Sequence, residues 1–115
     1  MRYMEIFVLF LIFSGETLAI CSEVWSAKLY QSRNFLRYFI PMVLLFAVAG
    51  SSLIAGYMLG YALFGNIWML SAVSITSILI VEPLVSFLLF RQLPSLGSLI
   101  GLVLGALGLI ATLTI

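Results

Sequence analysis

The chain has 115 residues, 64% of them hydrophobic and 8% charged, whereas soluble domains carry roughly 25% charged residues. Such a sequence cannot cover a soluble core with a polar surface, and its net charge of +1 excludes a basic nucleic-acid face. Without histidine or aspartate, and with Cys21 as its single cysteine, it offers no familiar metal, hydrolytic or disulfide chemistry. The expectation is one domain, an all-α membrane protein that is neither an enzyme nor a cofactor carrier.

A spanning helix needs about 20 mostly apolar residues. The first predicted span covers about residues 4–27. Arg2 and the apolar run 6–13 resemble a signal peptide. Glu16 interrupts that pattern, and Ile20 is too bulky to precede a lipoprotein cysteine at Cys21, so the span is expected to stay in the chain. Glu16 lies near its middle. Glu23, seven residues on, and Glu5, eleven residues back, each fall within about 20° of Glu16 on a 3.6-residue helix, making an acidic face flanked by Ala19, Ile20 and Ala27. Glu5 reads as a solvated end charge, and Glu23 as an interfacial acid near Lys28. Glu16 has no base near it in sequence. A carboxyl group this deep in a span either has a functional task or packs as a protonated, hydrogen-bonded residue.

The second span, about 38–64, is expected to begin with Pro41 in its first turn, where a missing N–H costs little. It carries a small-residue face at Ala49, Ser52, Gly56 and Gly60. Gly65-Asn66 reads as a tight turn into the third span, about 67–90. That span contains Glu82 followed by Pro83. Proline removes a backbone donor and kinks the helix, leaving a free carbonyl near the acid. Ser71 and Ser86 lie within about 40° of Glu82, with Ser74 at the margin, so a polar stripe runs along an otherwise apolar helix. The stripe serves either a substrate or proton site or a kink whose acid a neighbouring serine satisfies.

After the short connection 91–95, the fourth span, about 96–115, presents Gly97, Gly101, Gly105 and Gly108 on one face. Small-residue ridges let helix backbones approach closely, here either within the chain or in a dimer. Short connections between long apolar runs imply a four-helix antiparallel bundle. Lys28, Arg33, Arg37 and Arg91 lie in the first and third connections, against Arg2 alone on the other side. The positive-inside rule then predicts connections 28–37 and 91–95 in the cytoplasm and both termini outside the plasma (cell inner) membrane.

The run S-A-V-S-I-T-S-I-L-I-V-E-P-L-V-S-F-L-L-F, then R-Q-L-P-S, then G-S-L-I-G-L-V-L-G-A-L-G resembles the end of an EamA-like unit of the drug/metabolite transporter superfamily. Such units have a Glu-Pro pair in a helix, a short turn and a glycine-studded last helix. The size, four-span plan and first-span acid are similar to the small multidrug resistance transporters. The resemblance implies a small secondary transporter, a proton-coupled exporter of a cationic or amphipathic metabolite or drug. Glu16 is its coupling acid by position, with Glu82, Glu23, Ser71 and Ser86 as further candidates for the substrate or proton path. It also implies a homodimer, or a heterodimer with a related four-helix chain, whose subunits run antiparallel. A four-to-one charge bias favours a single orientation, so the bias is too weak to fix topology, or a partner of opposite topology exists, or the dimer is parallel. The alternatives are a subunit of a lipid-linked sugar flippase, disfavoured by the lack of a deep arginine or lysine, and a structural membrane subunit.

Overall fold

The computed structural model describes residues 2–30 and 35–115, except for the side chain of Arg2. Over these residues the chain is all-helical: α1 is Arg2–Leu29, α2 Phe35–Phe64, α3 Ile67–Phe90 and α4 Leu96–Thr114. At 1.5 Å per residue the four run about 42, 45, 36 and 28 Å, against a hydrocarbon layer of about 30 Å. All four are long and apolar enough to cross a membrane. Phe10, Leu44, Ile54, Met58, Leu104 and Leu113 are among many large apolar side chains that lie exposed along them. Water would not support so continuous an apolar exterior.

Local chemistry ends the helices where the sequence predicts. Gly65 takes a φ of +68°, which closes α2 without steric penalty. Asn66 then caps α3, its side-chain oxygen accepting from the Trp68 N–H at 3.0 Å. Arg91 ends α3 in a left-handed conformation, its N–H donating to the Phe87 carbonyl at 2.7 Å. Ser95 caps α4 by accepting from the Ser98 N–H at 3.2 Å.

The first connection is shorter than its composition predicts. Helix α1 continues to Leu29 and α2 starts at Phe35, so Lys28 and Arg37 are helical. Aromatic packing accounts for the early start of α2. The Tyr30 ring meets Phe35 edge-on at 5.4 Å, Phe35 stacks on Phe39 at 4.8 Å, and the Arg37 guanidinium lies 5.8 Å from the Tyr38 ring centre. Pro41 therefore sits in the second turn of α2, not the first, and cannot supply the N–H that would close on the Arg37 carbonyl. Both residues are exposed, so that gap lies outside the packed interior. Arg33, part of the expected basic connection, lies outside the described residues.

The core is built by α1, α2 and α3. Val8, Ile12 and Leu70 are fully buried, with Leu53, Tyr57, Phe64 and Val73 packed around them. The small residues of α2 make this possible. A Cβ at Gly60 would stand 2.5 Å from Leu70 and 3.0 Å from Val8, and one at Gly56 would stand 2.8 Å from Ile12. On α1, a Cβ at Gly15 would stand 2.8 Å from Leu53. Along α1 these contacts advance from Val8 to Ile12 to Gly15 while along α2 they retreat from Gly60 to Gly56 to Leu53, so the two helices run opposite ways where they touch. Ser52 adds a polar tie, its hydroxyl donating to the Leu11 carbonyl at 2.8 Å. At the far end the Lys28 ammonium donates to the Leu89 carbonyl of α3 at 2.6 Å.

Helix α4 stands apart from this unit. Among the described residues it packs on α3 alone, and none of its residues is buried. Of its glycine ridge, Gly105 meets Leu79, where a Cβ would come within 3.2 Å. Gly101 and Gly108 have nothing within 4 Å, and Gly97 has only the nearby Ser95 hydroxyl at that distance. The fold is thus a packed three-helix unit with a fourth helix leaning on one side.

Candidate functional site

Glu16 sits near the midpoint of α1, between Ile12 and Ile20 on the face that buries Ile12, Ala19 and Ile20. That placement leaves its carboxyl half-buried. The opposing surface comes from α3, whose residues Leu70, Ser74, Ser77 and Val81, spaced by four, three and four, form one buried face. Ser74 on that face lies within interaction range of the Glu16 side chain. The Ser74 hydroxyl is also 2.7 Å from the phenolic oxygen of Tyr57 on α2, and either can donate. Tyr57 has a second, longer option at 3.4 Å, donating to the Leu70 carbonyl. Three helices therefore bring a carboxyl, an alcohol and a phenol together, the alcohol and phenol hydrogen-bonded and the carboxyl within their range. The other buried serines, Ser22 and Ser77, donate to carbonyls on their own helices and take no part.

The order of donors allows this cluster two complete arrangements, once the Ser74 hydroxyl and the Glu16 carboxyl turn to each other. With Glu16 ionised, Ser74 donates to the carboxylate and Tyr57 donates to Ser74. With Glu16 protonated, the acid donates to Ser74, Ser74 donates to Tyr57, and Tyr57 turns its hydrogen to the Leu70 carbonyl. Each hydroxyl rotates about one bond to make the change. No buried donor or acceptor need be stranded in either state, which matters because an orphaned polar group in an apolar interior costs about 1–3 kcal/mol. The arrangement can thus take up or release a proton without losing its packing.

The remaining sequence candidates are distributed elsewhere. Glu82 is exposed, and with Ser86 it faces a groove between α3 and α4. Pro83 lines the same groove and cannot donate toward the Leu79 carbonyl. Ser71 is half-buried and absent from that lining, eleven residues and so about 16 Å along the helix from Glu82. Glu23 is exposed beside a small cleft of about 190 Å³ between α1 and α2, where Ser22 and Ser26 also lie. It is close enough to act on Glu16 electrostatically. Glu5 is half-buried near the start of α1. Among the described residues no three histidine, cysteine or acidic side chains gather as a metal site would require.

Tyr57 is the member that sequence reasoning missed. It lies seven residues, about 10 Å, from the end of α2 at Phe64. A phenol that far inside an apolar helix needs a polar partner, and that requirement is the signal that could have singled it out. No family model, curated protein or solved structure matches the chain.

Proposed function

We propose that the chain is a small secondary transporter, a four-helix antiparallel membrane bundle that exchanges protons for a cationic or amphipathic small molecule at Glu16. The observation that carries this reading is the Glu16–Ser74–Tyr57 chain. It sets a carboxyl group in an apolar span beside a hydrogen-bonded pair of hydroxyls from two other helices, so that hydrogen bonds can be completed in both protonation states. A carboxylate that trades a proton for a cation is a minimal coupling device. Every lysine and arginine of the sequence lies near a helix end or in a connection, so no fixed cation competes for Glu16. The likeness of residues 71–112 to an EamA-like transporter unit supports the same class.

Three helices make one packed unit and do not enclose a substrate path, so the working form in this reading is a dimer. The open glycines of α4 are its contact surface, since small residues permit close helix approach in lipid. The basic connections face the cytoplasm and the membrane is the plasma (cell inner) membrane, on the positive-inside argument.

The test uses the purified chain in detergent, weakly buffered, with a pH dye. Adding members of a broad organic-cation panel is expected to release protons from the native chain and not from Glu16→Gln. Silence of the native chain across the panel would remove the exchange mechanism and leave Glu16 as a packing residue.

A further inference from the structure

The packing of α1 on α3 brings two positive charges together at one end of the bundle. Lys28, in the last turn of α1, donates from its ammonium to the Leu89 carbonyl at 2.6 Å, across 61 residues of sequence. Arg91, the cap of α3, follows Leu89 by two residues, so its Cα lies within about 10 Å of that ammonium. Both Lys28 and Arg91 are exposed. The acids of the sequence lie elsewhere. Glu23 is five residues before Lys28 and about 140° around α1 from it, and Glu82 is nine residues, about 13 Å, down α3 from Arg91.

The C-terminus of α3 supplies about half a negative charge, which offsets only part of two full positive ones. The tie to Leu89 holds the ammonium in place and leaves it two further donors, and a guanidinium adds a planar fork that fits phosphate oxygens. The surroundings say where that phosphate comes from. Trp25 lies three residues before Lys28, and Leu88 three residues before Arg91, and both are exposed. Each cation therefore stands one turn beyond an outward-facing apolar side chain, and tryptophan is enriched at the headgroup level of a bilayer. A soluble anion would use the cations alone. A phospholipid uses both layers, with phosphate at the cations and acyl chains along the apolar side chains. A zwitterionic headgroup brings its own positive charge to a positive site, so an anionic one is favoured.

We propose that Lys28 and Arg91 form a binding site for the phosphate of an anionic phospholipid, whose acyl chains lie along Trp25 and Leu88. This site rests on the membrane-spanning reading of the four helices and does not depend on proton exchange at Glu16.

The two tryptophans make the site measurable, since Trp25 lies one turn from Lys28 and Trp68 lies at the far end, in the first turn of α3. The full chain carrying Trp68→Phe is reconstituted in phosphatidylcholine vesicles. Its fluorescence is then quenched by dibrominated phosphatidylglycerol or by dibrominated phosphatidylcholine at equal mole fraction. The anionic lipid is expected to be preferred beside Trp25 about tenfold or more. Lys28→Met and Arg91→Gln should each lower that preference about fivefold, the effect of one surface cation near an anionic headgroup. Lys28→Arg should keep most of it. Arg37→Gln removes one charge from the same end of the bundle, outside the pair, and should change it little. In a Trp25→Phe chain, Trp68 should show no preference, and excess inorganic phosphate should not displace the lipid from Trp25. Equal quenching of Trp25 by the two lipids, as large a loss with Arg37→Gln as with Lys28→Met and Arg91→Gln, or displacement by inorganic phosphate would each overturn the proposal. Absence of quenching by either lipid at either tryptophan would remove the membrane reading itself, and the site with it.

Discussion

Gly60 gives the sharpest test of how the three-helix unit is held together. A Cβ there would lie 2.5 Å and 3.2 Å from the two methyl carbons of Leu70 and 3.0 Å from a methyl of Val8. Carbon atoms rest at about 3.5–4.0 Å, so roughly 1 Å must be found for the first added atom alone. Val8 and Leu70 are both 0% exposed and have no free space to retreat into. Forcing extra carbons into such a core costs about 1–3 kcal/mol. Replacing glycine in a helix returns about 1 kcal/mol of propensity. Gly60→Ala should therefore come out close to neutral, and Gly60→Leu should lose about 2 kcal/mol net. Gly108→Leu is the matched control at micelle dilutions where the chain is monomeric, because nothing in the chain lies within 4 Å of Gly108 and only the propensity gain remains there. The two leucine variants should then differ by about 3 kcal/mol, by that same reckoning of strain and propensity. Unfolding in mixed micelles of rising SDS fraction, followed by tryptophan fluorescence, measures the difference. Equal midpoints for Gly60→Leu and Gly108→Leu would refute the packing of α2 on Val8 and Leu70. The same pair also reads the proposed dimer: Gly108→Leu should lower the dimer fraction in crosslinking while leaving the monomer folded.

Two further predictions address the polar chain and the topology. Tyr57→Phe removes one hydroxyl from the Ser74 pair and should cost about 0.6 kcal/mol and at most about 1.7 kcal/mol, the average and upper figures for side-chain hydrogen bonds between membrane helices. Combined with Ser74→Ala the losses should be less than additive, and strictly additive losses in SDS unfolding would mean that the two groups do not interact. In a Cys21→Ser background, Gln92→Cys is expected to react with a membrane-impermeant maleimide only from the cytoplasmic side, and Asn66→Cys only from the outside. Labelling of both positions from one side would contradict the assigned orientation.

Helix limits were legible where punctuation is chemical. The boundaries of α3 coincide with those read from Gly65-Asn66 at one end and the Arg91–Ser95 connection at the other, because glycine, asparagine, proline and serine each do a defined backbone task there. The first connection was less legible because ring packing among Tyr30, Phe35 and Phe39 carries α2 through residues that look like loop. Tyr57 escaped notice because in a long apolar run a tyrosine reads as one more hydrophobic residue, and its hydroxyl matters only once Ser74 stands 2.7 Å away.

The serines of α3 mark the limit of the helical wheel most clearly. Periodicity assigns each residue an angle on its own helix and is silent on which neighbour occupies that angle. Ser74, at the margin of the Glu82 stripe by angle, belongs to Glu16 because α1 packs against the Leu70–Val81 face. Ser86 stays with Glu82 because α4 leans on the other side, at Leu79. A single stripe in the sequence thus becomes two polar groupings divided by the body of α3. The division has a functional consequence. The Glu16 chain is locked among three helices by buried side chains. The Glu82 groove is bounded by a helix that, among the described residues, packs on α3 alone and buries none of its own residues. A shift of α4 would therefore reshape the groove while leaving the surroundings of Glu16 in place, so substitutions on α4 should disturb the groove and not the Tyr57–Ser74 pair.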